Sequence, residues 1–208
     1  MPEPTTLAAV LLVLGPIVGA IPVAYPPLMR VWSMPREDHV RTVAAHRTAW
    51  RFLNGGFVLA TVSTAAGLGV LALAVGADDD GASILVAATV AYSVAGVLWC
   101  AVLAIRAVTT PALLDLGAVD TAPGEAERLL GGATGALFAA FVLTTGVTLV
   151  ALGAGLALTG TIPAIVGSVA AGIAVVVLAA ELASGDAIPA VLYLPTMLIG
   201  IAVLAGWR

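Results

Sequence analysis

Apolar residues in this chain come in long unbroken runs rather than in alternation. Six stand out, at about 5–29, 52–77, 82–106, 129–158, 161–183 and 187–207. Roughly 20 consecutive apolar residues cross a bilayer as a helix, and the surplus in several runs allows tilt or extension beyond the membrane. Barrel strands would appear as alternating segments of ~10 residues, and none is present. The pattern predicts an all-α integral membrane protein, a six-transmembrane-helix bundle built as one transmembrane domain over 1–208. The polar breaks "GADDDGAS", "LTGTIP" and "ELASGDAIP" are short enough to be tight turns, so the runs they join are expected to be antiparallel neighbours. The first run opens with "MPEPTT", carries no basic residue there and continues to Met29. That is unlike a signal peptide with its positive start and short apolar stretch, and an uncleaved first span is expected.

Composition agrees with the pattern. The chain is 61% hydrophobic and 10% charged, with a mean hydropathy of +1.13, against ~25% charge in an average soluble domain. Orientation then follows from arginine, since lysine is absent. Positive residues collect in short cytoplasmic loops. Arg30, Arg36, Arg41, Arg47 and Arg51 lie between the first two runs, and Arg106 and Arg128 flank the loop between the third and fourth. Six spans place all of these on one side, which predicts an N-out/C-out topology. Pro35 and the Glu37–Asp38 pair suit a helix start, and neither proline nor glycine intervenes before Gly55. The second helix is therefore predicted to extend into the cytoplasm. In the loop 107–128, Thr110 can cap a short helix with Pro111 at its first position and Gly117 past its end, with Leu113, Leu114 and Leu116 at the membrane interface.

The prolines raise the question of function. Pro22 and Pro195 fall inside the first and last runs, each near a tyrosine, Tyr25 and Tyr193. A proline within a helix removes a hydrogen bond and clashes with the preceding turn, and carbonyls freed in a membrane need protein or water as partners. Kinks at Pro22 and Pro195 predict a cytoplasm-facing cavity lined by Tyr25, Tyr193 and Asn54, with His46 and Trp50 at its mouth. Pro26 and Pro27 end the first span. Arg106 and Glu181 lie at corresponding ends of their runs and are expected to pair or to share a polar cluster with Asn54. His39, Val43, His46, Trp50 and Leu53 fall on one helical stripe. The two histidines are seven residues apart, ~10 Å along a helix axis, too far for one metal ion or one haem. The stripe reads as amphipathic packing, with arginines meeting anionic headgroups.

No nucleotide-binding, nucleophile-elbow, zinc-protease or paired-cysteine motif occurs. No ionisable residue sits near mid-span, and Cys100, the one cysteine, reads as a small buried side chain. No catalytic residue, metal or cofactor is expected. The expected partners are membrane lipids, with a protein partner or a second copy meeting Gly/Ala-rich helix faces such as "GPIVG" (15–19) and "GGATG" (131–135); no nucleic acid is expected. A weak internal match of "RFLNGGFVLATV" with "RLLGGATGALFAA" suggests a duplicated hairpin. The leading function is a non-catalytic protein of the cytoplasmic membrane of a bacterium or archaeon, binding a lipid, a hydrophobic ligand or a protein partner. A small-solute transporter or channel using the kinked spans is the second class, and a membrane enzyme or haem protein using His39 or His46 is the third.

The arginine asymmetry makes a direct prediction. With Cys100 replaced by alanine, Asp79→Cys should react with an impermeant thiol reagent from outside the cell. Asp120→Cys should react only once the cytoplasmic face is opened. Equal labelling of both in intact cells would overturn the orientation.

Overall fold

The computed structural model describes residues 3–31, 34–75, 80–115, 124–184 and 189–206, and among these the chain is helical with no strand. The helices are α1 (Pro4–Ala20), α2 (Pro26–Met29), α3 (Arg36–Ala45), α4 (Arg47–Val75), α5 (Asp80–Asp115), α6 (Glu125–Leu158), α7 (Ala164–Ser184) and α8 (Leu194–Leu204). Two 3₁₀ segments, Ile21–Ala24 and Pro189–Tyr193, follow α1 and precede α8. Five helices are long and apolar enough to cross a membrane, and the segment Pro189–Leu204 is a shorter apolar helix. The chain is a multi-pass membrane protein by this architecture.

The long helices form a ring in chain order. α1 packs on α4, α4 on α5, α5 on α6, α6 on α7 and α7 on α8, and α8 closes the ring against α1. Side-chain contacts set an antiparallel register. Gly96 on α5 sits against Thr61 on α4, and Gly155 on α6 sits against Ile84 on α5. The face of α4 turned into the ring is Asn54, Phe57, Thr61, Thr64, Leu68 and Leu71, every one buried. Their spacing alternates between three and four, as one side of a helix requires.

Lipid supplies no hydrophobic drive between helices, so close backbone approach and van der Waals contact must hold them. Glycine provides that approach at two crossings. A Cβ on Gly19 would lie 2.5 Å from the carbonyl oxygen of Gly56, and one on Gly56 would lie 2.8 Å from that of Gly19. Gly153 and Gly167 meet in the same reciprocal way between α6 and α7. "GPIVG" is therefore an internal packing face. By contrast, nothing lies within 4 Å of a Cβ built on Gly131, Gly132 or Gly135.

The structure corrects the sequence reading at four places. The second helix does not run unbroken into the cytoplasm: α3 ends at Ala45, and His46 (φ −122°, ψ 41°) separates it from α4. The first span does not remain α-helical to Met29; it tightens to 3₁₀ at Ile21–Ala24 and is extended at Tyr25. Pro22 lies within that 3₁₀ segment, and Pro195 is in the first turn of α8, where proline is tolerated. Neither therefore kinks the interior of an α-helix. Finally, Pro111 does not start a new helix, because α5 continues through it to Asp115. Pro111 lacks the N–H that would reach the carbonyl of Ala107, and α5 continues past it with that one bond missing. Gly117 and Leu116 lie outside the described residues.

The glycine contacts separate two classes of substitution. Gly19→Ala forces backbone apart and should cost about 1–3 kcal/mol, read as a clear drop in the melting temperature of the purified protein. Gly131→Ala and Gly135→Ala meet open space and should leave it unchanged or raise it, since alanine in an open helix position is favoured over glycine by about 0.5–1 kcal/mol.

Candidate functional site

The arginine-rich end of the ring is built around the break at His46. The bend folds α3 across α4 and α5, so that the His39 ring meets the Trp50 ring edge-on, with centroids 5.8 Å apart. On a straight helix eleven residues would separate these rings by ~16 Å. His39 Nδ1 donates to the carbonyl of Val31 at 2.9 Å, which ties the α2–α3 connection down. Trp50, fully buried, donates its indole N–H to the carbonyl of Arg106 at 3.0 Å. Arg47 completes the strap. Its Nε donates to Ala44 at the end of α3 (3.3 Å), and its guanidinium grips both carboxylate oxygens of Asp115 on α5, Nη1 to Oδ2 at 2.9 Å. That bond holds the Asp115 carboxyl below the usual range.

His46 points elsewhere. Its Nδ1 lies 3.3 Å from the Tyr25 hydroxyl, and the two rings meet edge-on at 5.6 Å. Tyr25, His46, Arg47, Thr48 and Phe52 line an open surface depression there. The single histidine stripe is thus divided by the bend, with His39 turned inward and His46 outward.

A second concavity lies on the flank of the bundle, where α1 and the segment 189–197 diverge below their contact at Gly200. Its volume is about 390 Å³, and it is lined by Pro16, Ile17, Gly19 and Ala20 of α1, Phe57 and Ala60 of α4, and Ala190, Val191, Tyr193, Leu194 and Met197. The lining is apolar. The Tyr193 ring stacks on Phe57 at 6.4 Å, while its hydroxyl turns inward to Thr61 Oγ1 (2.8 Å) and the carbonyl of Phe57 (3.3 Å).

Of the residues expected to form one cavity, the structure places Tyr193 on this groove and Tyr25 with His46 on the separate depression. Asn54 is buried inside the ring, donating to the carbonyl of Trp50 at 2.8 Å. Arg106 lies within electrostatic range of His39. Glu181 is buried on α7; the contact of Gly146 with Leu178 sets it beside the turn of α6 that carries Phe141. Phe141 stacks on Trp99 with centroids 5.0 Å apart. The groove residues missing from the sequence reading are mostly small or aliphatic. Pro16, Gly19, Ala60 and Met197 carry no chemistry that separates them from their neighbours, and only the helix arrangement brings them together. Among the described residues no three His, Cys, Asp or Glu side chains converge as a metal site.

Compared with known proteins, the chain matches no family model, no curated protein and no solved structure.

His39 gives this end a pH dependence. Burial lowers its pKa below the ordinary 6.5, the Val31 hydrogen bond opposes this, and the positive Arg106 adds to the lowering. The folded state thus holds the proton less well than the unfolded chain. The stability that follows is complete above pH 6.5 and is lost as pH falls through that value towards the depressed one. The melting temperature should fall between pH 7.5 and 5.5 by several degrees more in the wild type than in His39→Gln. Parallel curves would refute the role of His39.

Proposed function

We propose that this is a non-catalytic protein that binds a hydrophobic, membrane-resident ligand in the groove between α1, α4 and the 189–197 segment. The observation that carries the reading is the groove itself. Its volume of about 390 Å³ lies within the ~300–1,000 Å³ of small-molecule sites, and its walls offer hydrocarbon and two aromatic faces with no charge. Such a surface suits an acyl or isoprenoid chain, and it opens on the side of the bundle where such chains reside.

The topology proposed with it has six spans, the last being Pro189–Leu204, with both termini outside. The hydrogen bond from Trp50 to Arg106 and the Arg47–Asp115 pair support this, because they bring the start of α4 and the end of α5 to one end of the ring. That end then faces the cytoplasm with its arginines, and the groove opens in the adjoining half of the membrane.

Ala20 and Ala190 border the groove without being deeply buried, so each can be enlarged with little disturbance of the core. Wild type and the Ala20→Phe/Ala190→Phe variant, both equilibrated with palmitate in detergent, are compared by native mass spectrometry. The wild type should retain bound palmitate or a copurified lipid at least tenfold more than the variant at equal thermal stability. Equal retention would remove the groove as the binding site.

A further inference from the structure

The interior of the ring is divided along its length. At the end away from the arginines it is filled by Leu68, Leu71, Leu85, Leu149, Leu152 and Leu156, all buried and all hydrocarbon. In the other half, polar side chains from different helices turn inward. Thr64 on α4, Trp99 on α5 and Thr145 on α6 are each 0% exposed, and Thr64 Oγ1, Trp99 Nε1 and Thr145 Oγ1 make no well-formed hydrogen bond among the described residues. Asn54 Oδ1, nearly three turns along α4 from Thr64 towards the arginine-rich end, is in the same condition.

These atoms are unsatisfied by orientation, not by want of a local partner. Thr89, Ser93, Thr109 and Thr148 all turn their hydroxyls back to a carbonyl of their own helix at 2.7 to 2.9 Å. Thr64 and Thr145 do not, though a helical threonine always has that carbonyl within a rotamer's reach. The nearest polar neighbours are the hydroxyls of two buried tyrosines: Tyr92 makes a loose hydrogen-bonding contact with Thr64, and Tyr193 with Trp99, neither in good geometry. A buried donor or acceptor left unpaired costs about 1–3 kcal/mol, and no bulk water reaches the middle of a bilayer to relieve it. Several together, on three helices, are not tolerated without a common partner. The groups are neutral and mix donors (an indole N–H) with acceptors and hydroxyls that do both. That set repels neither sign strongly enough to select an ion, and it matches a molecule that donates and accepts at once.

We propose that the arginine-side half of the ring holds a file of ordered water molecules running from Asn54 to Thr145, stopped by the leucine half. The seam is a blind, hydrated half-channel inside the bundle, distinct from the lipid-facing groove. It is independent of what the groove binds.

The test uses the unmodified protein, ¹⁵N-labelled in lipid nanodiscs and transferred to D₂O. The Trp99 indole N–H should exchange within hours, while the backbone amides of Leu149 and Leu152 stay protonated for days. In Thr64→Val/Thr145→Val, which keeps side-chain volume, Trp99 exchange should slow at least tenfold and the melting temperature should fall, because the waters lose their partners. An indole as protected as the leucine amides in the wild type overturns the proposal. So does a rise in melting temperature in the valine variant, the result expected when dry, unpaired hydroxyls are removed.

Discussion

Everything in this bundle hangs on backbone meeting backbone between α1 and α4. With Gly19 and Gly56 each lacking a Cβ, the two helices approach until carbonyl oxygen faces Cα. In lipid that proximity is what replaces the expulsion of water as the source of cohesion. α1 also carries Leu12 and Ala9 against Gly200 of α8, so the first helix is the keystone that closes the ring. The groove exists because this contact ends: once the chain passes Gly19, α1 tightens into 3₁₀ geometry, and α8 begins only after a 3₁₀ segment of its own. Two helices pinned at Gly200 and reshaped at their arginine-side ends must separate there.

The same logic explains what could be read from residues alone. Long apolar helices were legible because lipid imposes a minimum apolar length, and five of the described helices reach it. The inward face of α4, from Asn54 to Leu71, follows the helical period and was available to inspection. The pairing of Gly15 and Gly19 with a neighbouring helix was legible as a small-residue pattern, although "GGATG" carries the same pattern and packs against nothing nearby. Pattern states the capacity for close approach; only the fold states where it is used.

The break at His46 was illegible because the chain there contains no proline or glycine. Helix propensity favours continuation, and the opposing force is tertiary: His39 gains Val31 and Trp50, and Arg47 gains Ala44 and Asp115, only if the helix bends. Contacts made 8 and 68 residues away leave no trace in a local window. Proline misled for the converse reason. Pro22 and Pro195 look like interior kinks on a long run, but the backbone places them in or next to 3₁₀ turns, where a missing N–H is of little consequence.

That substitution of helix type has a mechanical side. A 3₁₀ turn rises about 2.0 Å per residue against 1.5 Å in an α-helix, so Pro189–Leu204 reaches about 26 Å rather than about 24 Å. The hydrocarbon core of a typical bilayer is about 30 Å thick, and α4, α5 and α6, across the ring from α8, exceed it comfortably. The rim of the ring is therefore uneven, tall on one side and low at α8. The sixth span proposed above therefore sets the lower wall, and the cost of matching it, fractions of a kcal/mol per Å, falls on the leaflet beside the groove.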